Sequence, residues 1–156
     1  MSAPRAYDLL QMLQKSEAFC AYQERCSYEV IEKLKRMGAE DGEVLQVLNL
    51  LIDNKFLDDA RFADAYAVGK LRIKHWGVNK NKQGLQLKRL NPELITKAIN
   101  NLYLQEDYFG ILRAVAEKKW YDLSKEKDPW IRKQKLFRFL VSRGFNYDEF
   151  SELKFD

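Results

Sequence analysis

Cysteine, histidine, threonine and proline are all scarce in this chain, and each scarcity excludes something. The two cysteines, Cys20 and Cys26, lie six apart and match neither a disulfide framework nor a zinc motif, so both are expected as free thiols. His75 is the only histidine, which leaves no material for a histidine-based triad or a His/Cys metal cluster. A single threonine, Thr96, and the lack of any alternating apolar segment argue against strands. No Gly-x-x-x-x-Gly-Lys-Ser/Thr loop is present to cradle nucleotide phosphates. Carboxylate pairs such as Asp58-Asp59 and Glu40-Asp41 fall at helix starts, where the helix dipole accounts for them. The expectation is a non-enzyme with no catalytic residue, no metal and no cofactor. No apolar run approaches the ~18–20 residues that span a bilayer, and the first residues lack a signal-peptide plan. A cytoplasmic monomer without membrane contact is expected.

Acid is missing in one place above all. Between Asp64 and Glu93 there are 28 residues without a carboxylate, holding Lys70, Arg72, Lys74, Lys80, Lys82, Lys88 and Arg89. The rest of the chain has 20 basic against 23 acidic residues, a balance of −3, so this one segment turns the total to +4. Such a field suits a polyanion, most simply nucleic-acid phosphates. A second acid-free run, from Pro129 to Tyr147, carries Arg132, Lys133, Lys135, Arg138 and Arg143.

What is abundant is helix signal. Apolar residues make up 46% of 156 residues and aromatics 13%, enough for a folded core. Each proline stands where a helix would begin: Pro4, Asn91-Pro92-Glu93 and Asp128-Pro129. Gly38 and Gly144 follow apolar-periodic stretches as left-handed stops do. The pattern predicts about nine helices, over 4–24, 27–37, 41–54, 58–75, 79–89, 92–104, 106–123, 129–143 and 146–154. Sliding the chain by 51 residues pairs Leu34 with Leu85, Val44 with Ile95 and Leu51 with Leu102; a shift of 106 pairs Leu34 with Leu140, Gly38 with Gly144 and Val44 with Phe150. One apolar template thus occurs three times. The fold class is all-α: three tandem three-helix repeats, at 1–55, 56–104 and 105–156, in an extended or curved array.

On that scaffold the acid-free segment covers the second half of the fourth helix, its turn and the fifth helix; the second run falls on the eighth, the counterpart of the fifth. Lys70 and Lys74 are i,i+4 and would project together, as would Lys82 and Arg89, seven apart. Five phosphate contacts on a single strand would give a log–log salt slope of about −3.5. Trp76, Tyr66 and Phe62 could stack on bases, although their helical spacing favours core packing. The first repeat's counterpart, with Glu29 and Glu32, is mixed in charge.

The stretch Leu57-Asp58-Asp59-Ala60-Arg61-Phe62-Ala63-Asp64-Ala65-Tyr66, followed by Lys70-x-Arg72 and Trp76-Gly77, resembles the most recognisable part of the RecX family of recombination regulators. Arg25-Cys26-Ser27 with Gly38, and Arg143-Gly144-Phe145, are similar to its first and closing repeats. Locally, Asp58 or Asp59 caps the fourth helix while Phe62 and Tyr66 face its core. The resemblance covers about residues 18–153 and implies the same three-repeat fold. It also implies a partner, RecA, and a place in the groove of the RecA–single-stranded DNA filament, where ATP hydrolysis and strand exchange would be inhibited or disassembly promoted. Three positions depart from the family pattern: Asn81 for an aliphatic residue, Gly84 inside the fifth helix, and Arg89 for a turn glycine. They predict a weakened fifth helix. Two other functions fit the residues: a helical-repeat adaptor that binds only protein or peptide, and a helix-turn-helix DNA-binding module. A pure adaptor has no need of two acid-free helices.

Overall fold

The computed structural model describes residues 5–155. Among them there are nine helices and no strand: α1 (Leu9–Tyr22), α2 (Ser27–Arg36), α3 (Asp41–Asp53), α4 (Asp59–Arg72), α5 (Val78–Leu87), α6 (Pro92–Gln105), α7 (Tyr108–Asp122), α8 (Pro129–Ser142) and α9 (Tyr147–Phe150). The all-α array of three three-helix repeats is as the internal alignment predicts. Most helix starts are chemically specified. Asn91 and Asp128 cap α6 and α8 with Pro92 and Pro129 in the first turn, and Asp58 rather than Asp59 caps α4 by accepting from the Arg61 amide at 3.0 Å.

Three boundaries differ from expectation. Pro4 lies outside the described residues; α1 begins instead at Leu9, where Asp8 and Gln11 form a reciprocal capping box. The fourth helix stops at Arg72, three residues early, because Trp76 N–H turns back to the Lys70 carbonyl at 3.0 Å and His75 takes φ +57°. The ninth helix is a single turn, Tyr147–Phe150. Left-handed residues close five helices: Gly38 and Gly144 as expected, but also Lys55, His75 and Arg89.

Packing divides unevenly. Met12, Val30, Leu34, Val44, Val47 and Leu51 form a core private to α1–α3. The remaining six helices share one larger core that includes Phe62, Leu71, Leu85, Leu102, Tyr108, Leu112, Leu140, Phe145 and Phe150. Cys26, at the start of α2, belongs to this second core and not to its own repeat's. Burial pushes its thiol up to about 11, so it is protonated and inert as a nucleophile at neutral pH.

The three departures in α5 and the turn after it have separate explanations. Arg89 adopts φ +56°, the backbone that a turn glycine would supply more cheaply. Gly84 is a packing requirement: a Cβ there would lie only 3.0 Å from the ring carbon of Tyr66 that bears its hydroxyl. Asn81 is fully buried; its amide nitrogen reaches the Ala67 and Trp76 carbonyls only at 3.4 Å, and its Oδ1 has no partner. A buried unpaired acceptor costs more than an apolar isostere. Asn81→Leu is therefore expected to stabilise the chain by about 1 kcal/mol, raising the thermal midpoint by roughly 2–4 °C in a circular-dichroism melt.

Candidate nucleic-acid interface

The Asp-Asp-x-Arg motif turns out to be a joint between the first and second repeats. While Asp58 caps α4, Asp59 accepts from both the amide (2.7 Å) and the hydroxyl (3.1 Å) of Ser27 at the start of α2. Arg61 pairs with Glu24 and donates to the Lys55 and Phe56 carbonyls (3.2 and 3.3 Å) just beyond α3. Two adjacent carboxylates and one guanidinium thus tie three helix ends together, which is why these residue types stand at this spacing. Phe62 goes into the core beneath them.

The second and third repeats meet backbone to backbone. Gly77 N–H donates to the Arg143 carbonyl at 2.7 Å and Asn79 N–H to the Gly144 carbonyl at 2.9 Å. The buried Tyr108 hydroxyl accepts from Val78 N–H (3.1 Å) and donates to Glu149 (2.9 Å), with its ionisation pushed far up by burial. This joint fixes α5, whose first two turns carry Lys80 and Lys82, against the turn that follows α8.

The basic residues separate into four groups. Arg72, Lys88 and Lys135 are spoken for: Arg72 makes a two-pronged pair with Glu106 (both 2.9 Å), Lys88 reaches Glu29 (3.3 Å) and Lys135 reaches Glu126 (2.8 Å). A second set packs on rings. Arg89 lies over Tyr28, and Arg132 covers Trp120 while its Nε donates to the Trp120 carbonyl; Lys133 lies 5.5 Å from the Phe137 centroid. Lys74, Lys82 and Arg138 are exposed and make no ion pair among the described residues.

Lys70 and Lys80 stand apart. Their ammonium groups lie 4.7 and 4.9 Å from the Trp76 ring centroid, and Lys70 is also 5.3 Å from that of Tyr66. Trp76 and Tyr66 are half-buried and pack edge to face at 6.5 Å. Lys74 falls just past the end of α4, although its N–H still donates to the Lys70 carbonyl at 3.1 Å, so the helical spacing of the two lysines persists. Lys82 and Arg89 do not share a stripe, since Arg89 lies past the end of α5 on the left-handed turn. The partner of Lys70 is Lys80, ten residues on and across the turn. Two cations without an ion pair among the described residues, beside two half-buried aromatic rings, make a patch that can hold phosphate and stack a base.

Comparison with known proteins agrees with this organisation. Residues 58–99 match the family described as RecX, second three-helix domain, and residues 105–153 match RecX, third three-helix domain. A regulatory protein RecX from Vibrio campbellii is 31% identical over 124 residues, covering 80% of this chain and 77% of that protein. The chain belongs to the RecX family. A RecX regulatory protein from Clostridium perfringens strain SM101 is 32% identical over 121 residues, covering 77% of this chain, which spans just 56% of that relative's length. The crystal structure of RecX from Lactobacillus salivarius shares the RecX fold with a TM-score of 0.79 at 22% identity, covering 90% of both chains.

Proposed function

We propose that this chain is a non-enzymatic regulator that binds RecA and the RecA–single-stranded DNA filament, inhibiting ATP hydrolysis and strand exchange during recombinational repair. It acts as a cytoplasmic monomer, with repeats dividing at 1–55, 56–104 and 105–156. The observation that carries the proposal is the Lys70–Trp76–Lys80 cluster, with exposed Lys74 and Lys82 in the same acid-free segment. A helical array that bound only protein would have no use for unpaired cations gathered on an accessible indole. The relatives named regulatory protein RecX support the regulatory part of the proposal. One feature favours the adaptor instead: Leu104 and Phe109, 81% and 55% exposed around the α6–α7 turn, offer an apolar foothold for a protein.

The deciding experiment titrates the chain into a RecA ATPase assay on single-stranded DNA. ATP hydrolysis is expected to fall with rising chain concentration, and direct binding to the DNA to weaken with salt by about 0.7 in log–log slope per phosphate held. Undiminished hydrolysis with folded protein in excess would overturn the regulatory proposal. Salt-insensitive binding to RecA, with none to DNA, would leave the adaptor.

A further inference from the structure

The first repeat carries a basic and aromatic hollow that the charge pattern along the chain conceals. It is a shallow, open depression of about 390 Å³ lined by Lys15, Ala18, Phe19, Tyr22, Arg25 and Lys33, with no carboxylate among them. The Arg25 guanidinium lies 3.7 Å from the Phe19 centroid and 5.9 Å from that of Tyr22, and its Nε donates to the Phe19 carbonyl at 3.0 Å. The Lys33 ammonium sits 4.8 Å from the Phe19 centroid, and that of Lys15 lies over Tyr7 at 5.2 Å. None of these three cations forms an ion pair among the described residues; the neighbouring Glu24 is engaged by Arg61 and Glu29 by Lys88.

Complementing the C-terminal dipole of α2 does not account for Lys33. That role is open to Lys35 and Arg36 in the same last turn, whereas Lys33 is drawn to a ring on another helix. Nor does packing account for Tyr22, which is 82% exposed at the end of α1. The arrangement also recurs. The shifts that superpose the repeats place Lys33, Gly84 and Phe139 at one equivalent position. In every repeat this residue meets the opening helix: Lys33 lies on Phe19, Gly84 admits Tyr66, and Phe139 lies beneath Lys119. Each crossing therefore holds an aromatic ring with a cation on it, the ring of the middle repeat being Tyr66 under Lys70.

We infer that the hollow on the first repeat is a further binding station for single-stranded nucleic acid, with a base stacked on Tyr22 and flanking phosphates on Lys15 and Lys33. The chemistry suits a single strand, whose unpaired bases have open faces for the phenol ring beside phosphates for the cations, whereas a duplex keeps its base faces stacked internally. Arg25 is the positioning residue, held by the Phe19 carbonyl and presenting the rest of its guanidinium beside Tyr22. The inference rests on the nucleic-acid part of the function proposed above.

The test measures binding of a fluorescent oligothymidylate by the whole chain, free of recombinase, across a salt series. Tyr22→Ala is expected to weaken binding about tenfold, while Tyr22→Phe, which keeps the ring, binds as the parent does. Lys15→Gln with Lys33→Gln is expected to flatten the log–log salt slope by about 1.4. Lys15 and Tyr22 are exposed and Lys33 is half-buried on Phe19, so the thermal midpoint serves as a control for folding. Unchanged affinity and slope in these variants, with normal binding by the parent and loss in Lys70→Gln/Lys80→Gln, would overturn this inference alone. No binding by the parent at any salt would overturn it together with the nucleic-acid reading. Intact DNA binding with lost RecA inhibition would also overturn it, making the hollow a protein-facing surface.

Discussion

Replacing Gly144 by alanine is expected to destabilise the chain by about 3 kcal/mol, lowering the thermal midpoint by roughly 6–12 °C. Two independent costs add. Gly144 has φ +95°, a backbone that L-residues rarely adopt, and a Cβ there would stand 2.5 Å from the amide nitrogen of Lys80. Nothing can yield locally, since the crowding atom is backbone in the first turn of α5 and is held by the bonds from Gly77 and Asn79 to the α8–α9 turn. Gly77→Ala meets the same joint from the other side, 2.6 Å from Gly144 and Phe145 backbone atoms. Two internal controls separate the causes. Gly38 shares the strained conformation, φ +87°, but has open space around it, so Gly38→Ala should cost only about 1 kcal/mol. Gly42 lies in the first turn of α3, unstrained and uncrowded, and Gly42→Ala should be neutral or stabilising by up to about 1 kcal/mol. Urea unfolding of the four variants checks the order. Equal losses at Gly38 and Gly144 would show that the crossing of the two turns contributes nothing beyond backbone strain.

The sequence makes the repeat legible because the repeat is an apolar pattern, and apolar pattern is local. Leu34, Leu85 and Leu140 recur at fixed shifts and all are fully buried. Prolines at helix starts and glycines at helix ends carry their meaning within three or four residues, which is why Pro92, Pro129, Gly38 and Gly144 read correctly. The end of the fourth helix is not legible in the same way, because its stop is neither: His75, an ordinary residue, takes the left-handed conformation that closes it.

Charge behaves differently. A gap in acids along the chain is not a gap in space, and the fold brings Glu106 onto Arg72 and Glu29 onto Lys88 from elements outside the segment. Gly84 looks like a weakness from sequence because nothing near it reveals that Tyr66 lies against it. The first-repeat cluster did leave a trace, since Lys15, Phe19 and Tyr22 recur at helical spacing and Arg25 follows. Glu29 and Glu32 on the next helix made the region read as mixed. Only the fold takes Glu29 out of that balance, by sending it to Lys88.

The same separation gives the cluster at Trp76 the largest expected effect on binding. If Lys70 and Lys80 each hold a phosphate of a single strand, Lys70→Gln/Lys80→Gln removes two charges at about 0.7 each in log–log slope. Affinity for an oligothymidylate should then be about 25-fold weaker at 0.1 M salt and should converge on the parent's near 1 M, where the electrostatic contribution has vanished. Salt dependence separates this from a structural role. Were the lysines merely bracing the indole, their loss would remove about 0.5–1 kcal/mol of cation–π stabilisation each and weaken binding equally at every salt concentration. Lys88→Gln provides the contrast. Its charge is already matched by Glu29 at 3.3 Å, so the salt slope should not change, although the thermal midpoint should fall slightly as the joint between α2 and the end of α5 loosens. A slope change for Lys88→Gln half as large as that of the Lys70/Lys80 double variant would mean that the acid-free segment acts as a diffuse field, and that the pairing seen in the fold does not select which cations meet the strand.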